Sequence, residues 1–204
     1  MTKPVEGVSE RILSCAMEEF LEKGYSEASL RVIAAKAGTT TGSIYSRFKD
    51  KEGLFAAIVE PAADYLVGLF TRVQEDFHAV EPNQQPKMMD QYVKSVMEEI
   101  LDYIYDNFQV FQLLLDASYG TKFQDFVERM TQIETEYTYK FMETIHFQND
   151  EAVPEEFIHI MTRALFESMF EVVRHKMEKE TALKYMRMIE KYHNAGWQAI
   201  FNAE

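Results

Sequence analysis

The chain has 204 residues, 47% of them hydrophobic and 27% charged, which suits one or two small globular domains and excludes a disordered chain. Its one cysteine, Cys15, excludes an intrachain disulfide; with no charged-then-apolar leader and no long uncharged apolar run, a soluble, cytoplasmic chain without membrane association is expected. The net charge of −13 argues against a polyanion partner for the whole surface, but residues 1–55 carry equal numbers of basic and acidic side chains, so residues 56–204 hold the entire excess.

In chain order, Ile12, Leu13, Ala16, Met17, Phe20 and Leu21 recur at helical spacing, and Gly24 closes the run. Ser29 is placed to cap a second helix whose inward face is Leu30, Ile33, Ala34 and Ala37, and Gly38 stops it. Thr39 and Thr40 supply a turn and a cap for a short third helix, anchored by Ile44 and Phe48 one turn apart. Asp50 caps a long fourth helix that runs to about His78, and Pro61 inside it predicts a kink between Ala57 and Pro61. The segment Ala79 to Lys87, with Pro82 and Pro86, is a break. Further amphipathic helices are predicted over 88–107, 108–117, 121–147, 155–178 and 181–202. The expected fold is all-α, with about nine helices.

The stretch SLRVIAAKAGTTTGSIYSRFKDKEGLF, residues 29–55, reads as helix, tight glycine turn, short helix and capped helix. A helix-turn-helix needs this layout, one helix bracing while the next presents its N-terminal residues to base edges in the major groove. Ala34, Ala37 and Gly38 let the two helices cross closely, and Ile44 and Phe48 leave Thr41, Gly42, Ser43, Ser46 and Arg47 facing outward. Between Ala28 and Lys51 the charge is Arg31, Lys36, Arg47, Lys49 and Lys51 against Asp50 alone, a local basic face on an acidic body.

On Ile12-Leu13, Ala16, Phe20, Gly24-Tyr25, Ile33-Ala34, Ala37-Gly38, Gly42-Ser43-Ile44-Tyr45, Phe48, Lys51-Glu52 and Leu54, residues 9–55 closely resemble the TetR family of regulators. The resemblance implies a three-helix DNA-binding domain over 1–50, then a helical ligand-sensing and dimerisation domain over 51–204. It places Thr41 and Gly42 at the head of the recognition helix and Ser43 on base or phosphate. It puts Tyr45 and Lys51 on phosphate and Arg31 on phosphate or an adjacent base. Ser29, Thr40 and Arg47 complete the expected DNA-contacting set. The resemblance further implies a transcriptional regulator, a repressor in the family's commonest mode, released from a palindromic operator by a small, largely apolar or aromatic inducer.

Residues 88–204 are dense in methionine and aromatic side chains, which build a core and can also enclose an apolar pocket. Tyr103, Phe111, Tyr137, Phe141, Phe166 and Met169 are the expected lining, with Glu167 or His146 as polar anchor. On the last two helices, a stripe of Phe157, Ile160, Met161, Ala164, Ser168 and Val172, and another of Leu183, Met186, Ile189, His193, Trp197 and Ile200, are expected to pair with a second copy as a two-fold four-helix interface.

Other classes remain as alternatives. Glu143-Thr-Ile-His146 and Glu156-Phe-Ile-His159 share the Glu-x-x-His spacing of di-iron carboxylate bundles, so a helical metal-binding protein is one; a carrier or adaptor without DNA binding is another. The sequence lacks a glycine-rich phosphate loop, a Cys-x-x-Cys pair and a nucleophile elbow, so no enzyme, cofactor or metal site is expected.

Overall fold

A computed structural model describes residues 7–145 and 153–201, and these are helical almost throughout, with no strand among them. The helices are α1 (Val8–Glu27), α2 (Leu30–Lys36), α3 (Thr41–Phe48), α4 (Lys51–His78), α5 (Gln85–Asp106), α6 (Phe108–Asp116), α7 (Phe126–Thr144), α8 (Glu155–Arg174) and α9 (Lys179–Phe201). They pack into two compact units: residues 1–65 with 107–125, and residues 66–106 with 126–204.

In the first unit Ile12, Ala16 and Phe20 of α1 are fully buried, as are Ile33 of α2, Ile44 of α3 and Phe55 of α4. An aromatic cluster knits the unit: Phe55 meets Phe20 edge-on at 5.1 Å, Tyr25 at 5.4 Å and Phe123 at 6.2 Å. Such ring contacts add about 0.5–1.5 kcal/mol each beyond area burial. Helix α6 lies against α1, and the Tyr25 amide donates to the Ala117 carbonyl at 3.0 Å.

In the second unit α7 packs along α8, α8 along α9, and α5 on α9. Phe70, Phe126, Phe166 and Phe170 fill its interior, with Phe166 edge-on to Phe70 at 5.4 Å. Helix α4 is apolar enough by length and mean hydropathy (1.5) to cross a membrane, but Leu54, Phe55, Val59, Leu66 and Phe70 are buried, as in the core helix of a soluble fold.

Three expected boundaries move, each for a local reason. Helix α5 starts at Gln85 rather than 88, because Pro86 falls in its first turn, where the missing amide proton costs nothing. Helix α7 starts at Phe126 rather than 121. Before it, the Thr121 hydroxyl donates to the Ser118 carbonyl at 2.7 Å and accepts from the Phe123 amide at 3.1 Å, side-chain bonds that compete with a helix. Helix α8 ends at Arg174 rather than 178: Lys176 is left-handed (φ 48°) and the Met177 amide returns to the Val172 carbonyl at 3.0 Å.

Candidate nucleic-acid interface

The turn between α2 and α3 is a Schellman cap. Gly38 takes φ +64°, the Thr39 amide donates to the Ala34 carbonyl at 2.9 Å, and the Gly38 amide donates to the Ala35 carbonyl at 3.2 Å. Thr40 then caps α3, its hydroxyl accepting from the Ser43 amide at 3.2 Å. Ile44 is fully buried, which turns the opposite face of α3 outward: Gly42, Tyr45, Ser46 and Arg47 are exposed, Thr41 and Ser43 half-buried. Tyr45 keeps 54% of its surface, a large exposure for an aromatic ring beside a core anchor.

Around this face the charged side chains have specific partners. The Arg47 guanidinium folds back along α3, donating to the Ser43 hydroxyl at 2.7 Å and carbonyl at 3.3 Å. Arg31 and Lys49 are exposed. Lys51 donates to the Ser26 carbonyl at 2.9 Å and lies 4.9 Å from the Tyr25 ring centroid; burial lowers its pKa from the ordinary lysine range. It therefore ties the start of α4 to the end of α1 as well as carrying charge. Asp50 caps α4, its carboxylate accepting from the Gly53 amide at 2.7 Å. Ser29 corrects an expectation: no side-chain bond caps α2, and the Ser29 amide instead donates to the Glu19 carboxylate at 3.2 Å.

Glu19 went unremarked in the sequence. It is 4% exposed, and also pairs with Lys36 at 3.6 Å, so one buried carboxylate on α1 holds both ends of α2. The available signal was its place three residues after Ala16 and beside Phe20, on the inward stripe, where a carboxylate needs a partner.

Of the residues expected to line a ligand site, Phe111 stands on α6 in the first unit; the others lie in the second. Phe141, Phe166 and Met169 are buried, while Tyr103, Tyr137 and Glu167 are partly exposed. Glu167 is paired with Arg174 at 2.9 Å and Arg163 at 3.3 Å; His146 lies outside the described residues. On the pairing stripes Val172 is fully buried within its own chain, Ala164 is exposed, and Met161, Ser168, Ile189, His193 and Trp197 are partly exposed. Ile160 of the expected α8 stripe is strongly exposed, and on α9 the strongly exposed apolar side chains are Met188 and Tyr192, neighbours of the expected stripe. Of the two Glu-x-x-His pairs, Glu143 and Glu156 are exposed and His159 faces Glu128 at 3.7 Å. Among the described residues no group of three metal-ligating side chains forms.

A polar group beside Tyr137 had no counterpart in the sequence reading. The Gln74 amide of α4 donates to the Glu134 carboxyl of α7 at 2.5 Å, and the His78 ring lies 5.1 Å from that of Tyr137. Glu134 keeps some exposure as a residue, but desolvation of its carboxyl pushes the pKa from 4.5 up to about 7. The folded chain then holds this proton more tightly than the unfolded chain, so stability falls as pH rises from about 5 through 7 and levels off above. Glu134→Gln is expected to remove this decline and to raise stability at pH 8 by up to about 3 kcal/mol, read from urea unfolding at pH 5 and pH 8. An identical pH profile in the variant would contradict the assignment.

Residues 12–58 match the family model of "Bacterial regulatory proteins, tetR family". The uncharacterized HTH-type transcriptional regulator YvdT of Bacillus subtilis is 43% identical over 60 residues, 29% of this chain and 31% of that protein. The HTH-type transcriptional activator FasR of Mycolicibacterium smegmatis is 26% identical over 126 residues, 62% of this chain and 52% of that protein. The chain thus spans about a third to a half of these relatives. The structure of SmeT, the repressor of the Stenotrophomonas maltophilia multidrug efflux pump SmeDEF, superposes with TM-score 0.63 at 20% identity, covering 92% of this chain and 89% of SmeT. At that identity the likeness is one of fold.

Proposed function

We propose that this chain, a member of the tetR family of bacterial regulatory proteins, is a DNA-binding transcriptional regulator that works as a homodimer on a palindromic operator and leaves it when a small organic ligand binds. The observation that carries the reading is α3: one buried anchor, Ile44, and an outward face of Gly42, Tyr45, Ser46 and Arg47 directly after a rigid turn. That is the surface a major groove requires, small at its head so that backbone approaches base edges. Residues 1–50 serve as the DNA-reading head and 51–204 as the sensing and pairing part. Thr41, Gly42 and Ser43 meet base edges; Arg31, Tyr45, Arg47 and Lys51 meet phosphates, with Ser29 and Thr40 at the helix starts.

Short side chains at 41–43 make few bidentate base contacts, so DNA shape supplies part of the specificity. Repression is the proposed mode. SmeT is a repressor and FasR an activator, so transcription from the operator with and without the chain decides between the two.

The experiment is anisotropy titration of a selected palindromic duplex at several salt concentrations. Arg31→Ala is expected to weaken binding about tenfold and reduce the log–log salt slope by about one, as loss of one phosphate contact does. Tyr45→Ala is expected to weaken binding about tenfold with the slope kept. Affinity indifferent to both substitutions would remove α3 and its neighbours as the DNA surface. A ligand that binds without changing operator affinity would not be the inducer.

A further inference from the structure

We propose that Glu134 and His78, bridged by Gln74 on facing stretches of α7 and α4, anchor an organic ligand through a primary ammonium group. This rests on the ligand-sensing reading above and names the chemistry of the ligand.

The argument is the balance of donors and acceptors. His78 Nδ1 lies 2.9 Å from the Gln74 carbonyl oxygen, which can only accept, so Nδ1 carries the proton and Nε2 of the neutral ring is an acceptor. That Nε2 is buried and has no hydrogen-bond partner among the described residues. Gln74 already gives an amide proton to one Glu134 oxygen, and an ionised carboxylate has further acceptor sites and nothing to donate. Gln74 and His78 are one helical turn apart, so the Gln74 side chain that reaches Glu134 and the His78 ring leave the same face of α4.

Among the described residues no cation is paired with the Glu134 carboxyl. Desolvation alone sets the Glu134 shift, and the nearby Lys140 is committed elsewhere, donating to Glu136 at 2.7 Å with its ammonium 4.1 Å from the Tyr137 ring centroid. Phe77 and Tyr137 flank His78 at 5.4 and 5.1 Å and offer ring faces to an organic cation. An ammonium supplies the missing positive charge and the missing donors at once. A neutral hydroxyl could satisfy Nε2 but would leave the carboxylate unanswered.

The probe is dansylcadaverine, a fluorophore carrying a primary ammonium on an alkyl arm, titrated into the full-length chain against its N-acetyl derivative, which lacks the charge. Wild type is expected to bind the ammonium form at least about tenfold more tightly, the worth of a charge-assisted contact. Glu134→Gln is expected to bring the two probes within about twofold, and His78→Phe to weaken the ammonium form while sparing the acetylated one. Equal affinity of the two probes for wild type, or an ammonium preference that survives Glu134→Gln, would overturn the anchor while leaving ligand sensing intact. Failure of both probes to bind would overturn it as well. The sensing reading itself falls only in the operator titration.

Discussion

Gly53→Ala is expected to lower the melting temperature sharply and to abolish binding to the proposed operator, a large effect for one methyl group at the junction of α3 and α4. A Cβ at Gly53 would stand 1.9 Å from the Phe48 carbonyl oxygen and 3.1 Å from its carbon. Both are backbone atoms, so no rotamer change relieves the overlap. The last turn of α3 or the first turn of α4 must move. The same few residues hold Lys49 at φ +72° and the Asp50 carboxylate on the Gly53 amide at 2.7 Å, so movement there also breaks the cap of α4. Overpacking of this kind costs about 1–3 kcal/mol where side chains can yield, and more against backbone. The cap adds about 1 kcal/mol. Because α3 carries the residues proposed to face the groove, a shift of its last turn misplaces all of them. Circular dichroism melting and anisotropy titration check both parts. A stable variant with wild-type DNA affinity would mean the turn is soft, contrary to its geometry.

Tyr192→Glu is expected to convert the proposed dimer to monomer. Along α8 the exposed apolar residues are Phe157, Ile160 and Ala164; along α9 they are Met188, Tyr192, Ala195 and Ala199, each set on one helical face. Tyr192 is 77% and Ile160 58% exposed within the chain, which leaves these stripes for a second copy. In a two-fold interface each substitution occurs twice. Two buried, unpaired carboxylates at about 2 kcal/mol each weaken association by about 4 kcal/mol, roughly a thousandfold. Operator affinity should fall by at least about a hundredfold, since a monomer reads one half-site. Helicity should persist, because the side chain has little contact inside its own chain. Sedimentation equilibrium reports the first effect and anisotropy the second; an intact dimer would place the interface on another surface.

The helices were legible because their signals are local. Ile12, Ala16 and Phe20 mark α1 by spacing, Gly38 and Thr40 mark the turn and cap by their chemistry, and the structure places each in that role. The outward face of α3 followed from the same short segment, since burying Ile44 dictates which residues of α3 face out. Less local features were missed. Ser29 has the side chain of a cap, yet Glu19 takes its amide instead. Lys51 reads as a phosphate contact, and its bond to Ser26 depends on where α1 ends. On α9 the stripe of Ile189, His193 and Trp197 is half-buried in its own chain, while the exposed one is offset by a single residue. An amphipathic helix rich in apolar residues on several faces does not declare which face its neighbours will take.

By itself, then, the sequence determined the helical class, the helix–turn–helix of α2 and α3 and the residues that α3 turns outward, because helix periodicity, glycine turns and caps are properties of residues a few positions apart. Only the tertiary structure decided the rest. Glu134 meets Gln74 across 60 residues, Lys51 meets Ser26 across 25, and α6 packs against α1. Such pairings depend on how helices pack against one another, and no local pattern in the chain records them.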